Sequence, residues 1–89
     1  MIKYVYASKN VKSGNFNVPQ LYDFSSDNAA EYFEISFKEA RKEAVETLKE
    51  LDVYYLGTFD TKTGLFQVCD PVFLVSGTAC LGSADGKEE

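Results

Sequence analysis

The chain contains no histidine and no tryptophan, and only two prolines and two cysteines among its 89 residues. Without histidine it lacks the usual general base at neutral pH, the usual zinc ligand and every Ser-His or Cys-His pair. Cys69 and Cys80 fit neither a zinc knuckle nor a Cys-x-x-Cys redox motif, so we interpret them as reduced thiols. These absences predict a protein that is not an enzyme and that uses no metal or cofactor.

A long apolar run and an export signal are also missing. The opening segment MIKYVYASKN alternates in character and carries two lysines, unlike a signal peptide. The longest uncharged apolar stretch, residues 72–81, is too short and too rich in small residues to span a bilayer. We therefore expect a soluble, cytoplasmic protein with no membrane partner.

Acidic residues are absent from the first 22 positions. That segment holds three lysines, whereas all fourteen acids and the other six basic residues follow from Asp23 onward. The first quarter is thus +3 and the rest is 6 − 14 = −8. In physiological salt, charges are screened beyond a Debye length of about 8 Å, so the basic segment can act independently of the acidic one. A local basic stripe could therefore bind phosphates, or the lysines could simply line an exposed strand.

The composition is typical of a folded chain: 45% of the residues are hydrophobic, and seven Phe and six Tyr are present. A chain of this length forms one small domain that buries only about two-thirds of its unfolded surface. A homodimer would bury more apolar surface. We predict a single domain over residues 1–77 and a flexible C-terminal tail over residues 78–89.

Alternation predicts a first strand over residues 2–7, with Tyr4 and Tyr6 on one face. Residues 8–25 are expected to be irregular, with a short extended piece at 16–18 or 21–24. Residues 53–59 and 65–69 predict a hairpin whose loop places Gly64 in the left-handed region. After the break at Asp70-Pro71, residues 72–76 are expected to add an edge strand or a docking segment.

Between these strands, the sequence predicts one long helix from Asp27 or Asn28 to about Asp52. Its apolar stripe recurs at steps of three and four residues: Ala30, Phe33, Phe37, Ala40, Ala44, Leu48 and Leu51. The expected fold is α+β: a small antiparallel sheet, made of the N-terminal strand plus the C-terminal hairpin, covered by one long amphipathic helix.

A mixture of cations, aromatic rings and amides near the N-terminus suggests a binding surface. Single-strand binding needs this mixture, because cations track phosphates while rings stack on bases. The alternative is that Tyr4 and Tyr6, which share a face, are core residues beneath the helix. The candidate residues are Lys3, Tyr4, Tyr6, Lys9, Lys12, Asn15, Phe16 and Asn17.

Two segments resemble hallmark blocks of the small non-structural DNA-binding protein of gokushovirus-type microviruses (Microviridae). Residues 11–19, VKSGNFNVP, resemble its Lys-x-Gly-x-Phe-x-x-Pro turn, and residues 52–64, DVYYLGTFDTKTG, resemble its Asp-Leu-Tyr-x-Leu-Gly-x-Phe-Asp-x-x-Thr-Gly hairpin. The resemblance covers residues 2–77. It implies a bacteriophage accessory protein of the host cell cytoplasm that binds DNA and acts in single-stranded genome synthesis, favouring progeny single strands over further duplex replication.

Together these observations predict a non-enzymatic protein, expected as a homodimer, that binds single-stranded DNA. We assign phosphate contacts to Lys3, Lys9, Lys12 and, on the hairpin, Lys62; we assign base stacking to Tyr4, Tyr6, Phe16 and Tyr55. The alternative is a protein-interaction module. Its helix surface, with six Glu against four basic residues between positions 31 and 50, would dock on a host or viral replication protein.

Overall fold

Four antiparallel strands form a single sheet. In the computed structural model, which describes residues 1–82, the strands are β1 (Ile2–Asn10), β2 (Gln20–Tyr22), β3 (Leu51–Asp60) and β4 (Leu65–Ser76). Their spatial order is β2-β1-β3-β4, with every neighbouring pair antiparallel. The sheet therefore contains the predicted N-terminal strand and hairpin, and Gly64 has the predicted positive φ of +76°.

The hairpin contains a bulge at the position where Asp70-Pro71 was expected to end a strand. Tyr55 pairs with Val72 and Gly57 pairs with Val68, so residues 69–71 of β4 lie opposite Leu56 alone. Because β4 is an edge strand, Pro71 interrupts the pairing without ending the strand. The two separate extended segments expected at 65–69 and 72–76 are one strand.

The predicted single long helix covering the sheet is wrong. Two short helices stand in its place, α1 (Ser26–Lys38) and α2 (Lys42–Leu48). The helical path stops at Glu39, and Arg41 is extended, with φ −66° and ψ 152°. From Leu51 onward the chain forms β3, so the helix end expected near position 52 lies inside a strand.

The break has a physical reason. Ala29, Phe33 and Phe37 are the buried residues of α1, and they follow one another at four-residue steps. A continued helix would place Arg41 on the flank of this stripe, about 80° from Phe33 around the helix axis, where part of its side chain would lose contact with water. The break instead leaves Arg41 exposed, and Val45, from α2, packs against the core.

The packed domain extends beyond the boundary expected at residue 77. A π-helical turn (Thr78–Gly82) follows β4, and Cys80 and Leu81 are buried within it. The Thr78 hydroxyl donates a 2.6 Å hydrogen bond to the Lys49 carbonyl, which ties this turn to the end of α2. The first part of the predicted flexible tail is thus core; residues 83–89 lie outside the described residues.

The core lies between one sheet face and the helices. Its buried members come from every layer and are Tyr6, Ala29, Phe33, Phe37, Val53, Cys80 and Leu81. Within residues 1–82, neither helix has the length and apolar character needed to span a membrane.

Candidate nucleic-acid interface

The two faces of the sheet have different environments. Because side chains alternate along a strand and directly paired residues share a face, the register assigns each residue to one face. Tyr6 pairs with Tyr55 on the face that packs against α1. The opposite face, called the open face here, is not covered by a helix within residues 1–82; its members include Lys3, Val5, Ala7, Lys9, Leu21, Asp52, Tyr54, Phe59, Phe66, Val68 and Phe73.

Tyr6 is a core residue, which removes it from the set of base-stacking candidates. Its side chain is 1% exposed, and its hydroxyl donates a 2.8 Å hydrogen bond to the Phe24 carbonyl. The ring meets Phe33 edge-on at 5.5 Å between centroids. Burial, with smaller contributions from Tyr55 and other neighbours, raises the pKa of Tyr6 to about 12.

Tyr4 and Tyr55 share that environment in part. Both are half-buried and pack against the core cluster, and burial raises the pKa of Tyr55 above its usual range. The alternation that places Tyr6 under the helix places Tyr4 on the same face. Three of the four rings assigned to base stacking therefore belong to the helix-covered side, and Phe16 alone remains accessible on the other side.

The open face carries a cation beside three rings, which we name the cation-aromatic cluster: Lys9, Phe16, Tyr54 and Phe73. The Lys9 amine lies 5.5 Å from the Phe16 ring centroid and 5.8 Å from the Tyr54 centroid. The rings of Phe16 and Tyr54 meet edge-on at 5.4 Å, and Tyr54 meets Phe73 at 5.8 Å. Phe16 is 42% exposed and Phe73 52% exposed, so both offer ring surface to solvent.

The turn after β1 holds Phe16 in this cluster. The Asn10 side chain accepts hydrogen bonds from two backbone N–H groups of the turn, at 2.9 and 3.0 Å. Gly14, at φ +76°, donates to the Asn10 carbonyl, and the chain then returns along β1. Asn17 bonds to Ser8 through its backbone N–H at 2.8 Å and its side-chain amide at 2.7 Å. Asn17 thus positions Phe16 opposite Lys9, where the two residues form a bridge.

The four candidate lysines differ in their ion pairs. Lys3 pairs with Asp23, and Lys12 pairs with Glu50 at 3.0 Å. Hydrogen bonding from Lys12 lowers the pKa of Glu50 below its usual range. Within residues 1–82, the Lys9 amine has no carboxylate within 4.0 Å. Among Lys3, Lys9 and Lys12, Lys9 is therefore the lysine whose positive charge is least neutralised by a carboxylate.

The remaining candidates lie at separate places. Lys62 is exposed on the hairpin turn, ten residues along the chain from Asp52, which pairs with Lys9. The part of β3 from Asp52 to Asp60 alone spans roughly 25 Å at the strand rise. Asn15 is exposed in the turn that precedes Phe16. Asp52 lies directly opposite Lys9 in the register, so one acid faces the cluster from β3.

Tyr54 and Phe73 are members of the cluster that were not among the predicted site residues. A signal for Tyr54 was present: the adjacent Tyr54 and Tyr55 must face opposite sides of a strand, so assigning one to the core assigns the other to the open face. Phe73 had no such signal, because its position follows the bulge around Pro71 and the register could not be counted through it.

Comparison with curated proteins and with solved structures found no match. A family model described as Phage ORF5 protein matches residues 3–80, which is nearly the whole chain. The matched range includes the turn that carries Phe16, both helices and the complete hairpin. The chain therefore belongs to the Phage ORF5 protein family and is a phage protein.

Proposed function

We propose that this phage protein is a non-enzymatic accessory factor that binds single-stranded DNA through the cation-aromatic cluster. Its place would be the host cell cytoplasm, and its role would be viral genome synthesis, including the switch to single-strand production. The observation that carries the proposal is the Lys9 amine resting against Phe16 and Tyr54 on a sheet face that no described helix covers.

The cluster has the chemistry that single strands require. Half-exposed rings accept unstacked bases of any sequence, each base contributing about 1–3 kcal/mol, and a neighbouring cation attracts the phosphate between them. A duplex keeps its bases stacked inside and offers these rings nothing comparable. The proposal therefore predicts a preference for single-stranded over double-stranded DNA.

The ion pairs predict a weak dependence on salt. The slope of log K against log salt is about −0.7 for each phosphate contact with a single strand. Lys3 and Lys12 are already paired with carboxylates, which leaves Lys9 as the main phosphate contact at the cluster. We expect a slope between about −0.7 and −1.4, and most of the affinity should come from stacking.

The test is a salt-titrated binding assay with labelled single-stranded and double-stranded oligonucleotides of the same sequence. Lys9→Gln should weaken single-strand binding and reduce the salt slope by about 0.7. Lys42→Gln, which neutralises an exposed lysine on α2, is the matched control and should change neither. Undetectable binding of single strands at low salt would show that the proposal is wrong.

The alternative function is docking on a basic host or viral replication protein. The helices favour it through Glu31, Glu39 and Glu43, which are exposed and have no basic group within 4.0 Å inside residues 1–82. Charge reversal of these three residues would then abolish capture of the replication protein, while Lys9→Gln would not. Under the DNA-binding proposal, Lys9→Gln should lower the affinity for oligonucleotides and the three charge reversals should not.

A further inference from the structure

A cavity of about 260 Å³ opens on the helix-covered side of the sheet, apart from the cation-aromatic cluster. Its floor consists of core residues, Phe33 and Phe37 from α1 and Val53 from β3, which are 9%, 7% and 4% exposed. Small-ligand sites are typically apolar pockets of this kind with a few polar groups that orient the ligand. We call it the amide cavity because its rim carries three uncharged polar side chains, Ser8, Asn17 and Gln20.

The sheet register explains why a gap remains here. Gln20 pairs with Tyr6 and Ser8 pairs with Val53, so these side chains share the helix-covered face. The backbone of α1 comes closer to β4 and the π-helical turn than to β1 or β2, which lie toward the other edge of the sheet. The face is therefore open at its β2 side, where Val18 and Gln20 are exposed.

The rim amides have hydrogen-bonding capacity left for a ligand. Asn17 donates one amide N–H to the Ser8 hydroxyl at 2.7 Å, which fixes the side chain and leaves its carbonyl oxygen unused. The Gln20 side chain makes no hydrogen bond to any group of residues 1–82. A side-chain amide presents an acceptor and two donors together. The rim can therefore match a ligand edge on which a donor and an acceptor lie side by side.

Charge and size limit what the ligand can be. No charged residue of the described chain lines the cavity, so a phosphate, carboxylate or ammonium group would lose water there without gaining a counter-charge. A cavity of about 150 Å³ holds a benzene ring. One of 260 Å³ accommodates a planar ring system roughly 1.7 times as large, which is the size of a purine base.

We propose that the amide cavity binds an adenine base, with the ring system over the apolar floor and its hydrogen-bonding edge against Gln20. The N6 amino group and N7 of adenine are the donor and acceptor that a Gln or Asn side chain matches with two hydrogen bonds. Guanine is read mainly by Arg or Lys and cytosine by Glu or Asp, and the cavity has none of these. Thymine has a single ring, which would leave part of the floor without contacts.

Two sources can supply the base: a nucleotide of a bound single strand, or a free nucleoside. Asn17 bonds to Ser8 at the cavity, whereas the preceding Phe16 packs on Tyr54 at the open face. A strand that crosses the edge of the sheet at these two residues would stack one base on Phe16 and place another in the cavity. The strand source rests on the proposed function, and the free-nucleoside source does not.

The test of the cavity itself is a chemical-shift titration of the full chain with adenosine, guanosine, cytidine and thymidine. Adenosine should shift the signals of Ser8, Gln20 and Phe33 and should bind at least about 5-fold more tightly than the other nucleosides. Gln20→Leu should weaken adenosine binding about 5- to 150-fold through the two lost hydrogen bonds. Because Gln20 is exposed, circular dichroism should show that this variant is folded.

Gln67→Leu is the matched control. Gln67 is the other glutamine of the chain and is also exposed, but it lies on β4, at the opposite edge of the sheet from β2. This variant should bind adenosine like wild type. No adenosine binding up to about 5 mM, equal affinity for the four nucleosides, or equal adenosine affinity of the two leucine variants would overturn the proposal.

The strand source is tested with single strands that contain only adenine or only thymine. The adenine strand should bind at least about 5-fold more tightly, and Gln20→Leu should remove that preference without weakening the thymine strand. A preference for adenosine without one for the adenine strand would assign the free nucleoside as the ligand. Adenosine binding with no binding of either strand would support the cavity and show that the proposed function is wrong.

Discussion

Replacing Tyr6 with phenylalanine tests the assignment of that ring to the core. The substitution keeps the packing against Phe33 and Tyr55 and removes the hydroxyl that donates to the Phe24 carbonyl. A lost hydrogen bond with a partly buried acceptor left unpaired costs about 1–2 kcal/mol. The free energy of unfolding of Tyr6→Phe at pH 7 should therefore be lower than that of wild type by about this amount.

The pH dependence provides a sharper measurement. Burial raises the pKa of Tyr6 from 10.0 to about 12, so the folded state holds the phenol proton more tightly than the unfolded chain does. The resulting stability is fully present below pH 10 and is lost as the pH rises from 10 toward 12. By pH 11, wild type should lose about 1.4 kcal/mol through this group.

The phenylalanine variant lacks that titration, while Tyr22 and Tyr55 titrate in both proteins and cancel in the comparison. Urea unfolding followed by circular dichroism at pH 8 and pH 11 gives the two differences. We expect the advantage of wild type to be about 1–2 kcal/mol at pH 8 and close to zero at pH 11. Oligonucleotide affinity at pH 8 should be unchanged. A pH-independent difference, or a loss of affinity, would refute the core assignment of Tyr6.

Three further substitutions follow from individual contacts. Gly77→Ala should lower the free energy of unfolding by at least about 2 kcal/mol, because a Cβ there would overlap the Leu48 backbone carbonyl; chemical denaturation measures it. Glu50→Gln should release Lys12 and strengthen single-strand binding, with the salt slope steeper by about 0.7. Lys62→Gln should leave affinity within about twofold of wild type in the same binding assay, since the hairpin turn lies roughly 25 Å along β3 from the residue that pairs with Lys9.

Local patterns accounted for the strands better than for the helices. Alternation identified β1, and the turn around Gly64 identified the hairpin, because both depend on residues near one another in sequence. The helix break had no local signal, since no glycine or proline lies between Glu39 and Arg41. It depends on what the buried stripe of α1 packs against, which is a tertiary contact.

The candidate site was also predictable only in the part that lies in one short segment of the sequence. Lys9 and Phe16 were identified because they belong to one short N-terminal segment. Their partners Tyr54 and Phe73 come from β3 and β4, and only the register of the folded sheet brings these four residues together. Conversely, Tyr6 looked available because composition alone cannot tell which face of a strand a helix will cover.

The most direct test of the central claim is the affinity of Phe16→Ala for single-stranded DNA, compared with that of Tyr32→Ala. The two rings are similarly exposed, at 42% and 47%, but Tyr32 lies on α1, on the covered side of the sheet. Loss of one stacked base, worth about 1–3 kcal/mol, predicts that Phe16→Ala binds about 5- to 150-fold more weakly, with Tyr32→Ala within about twofold of wild type. Equal affinities for the two variants would contradict the assignment of DNA binding to the open face.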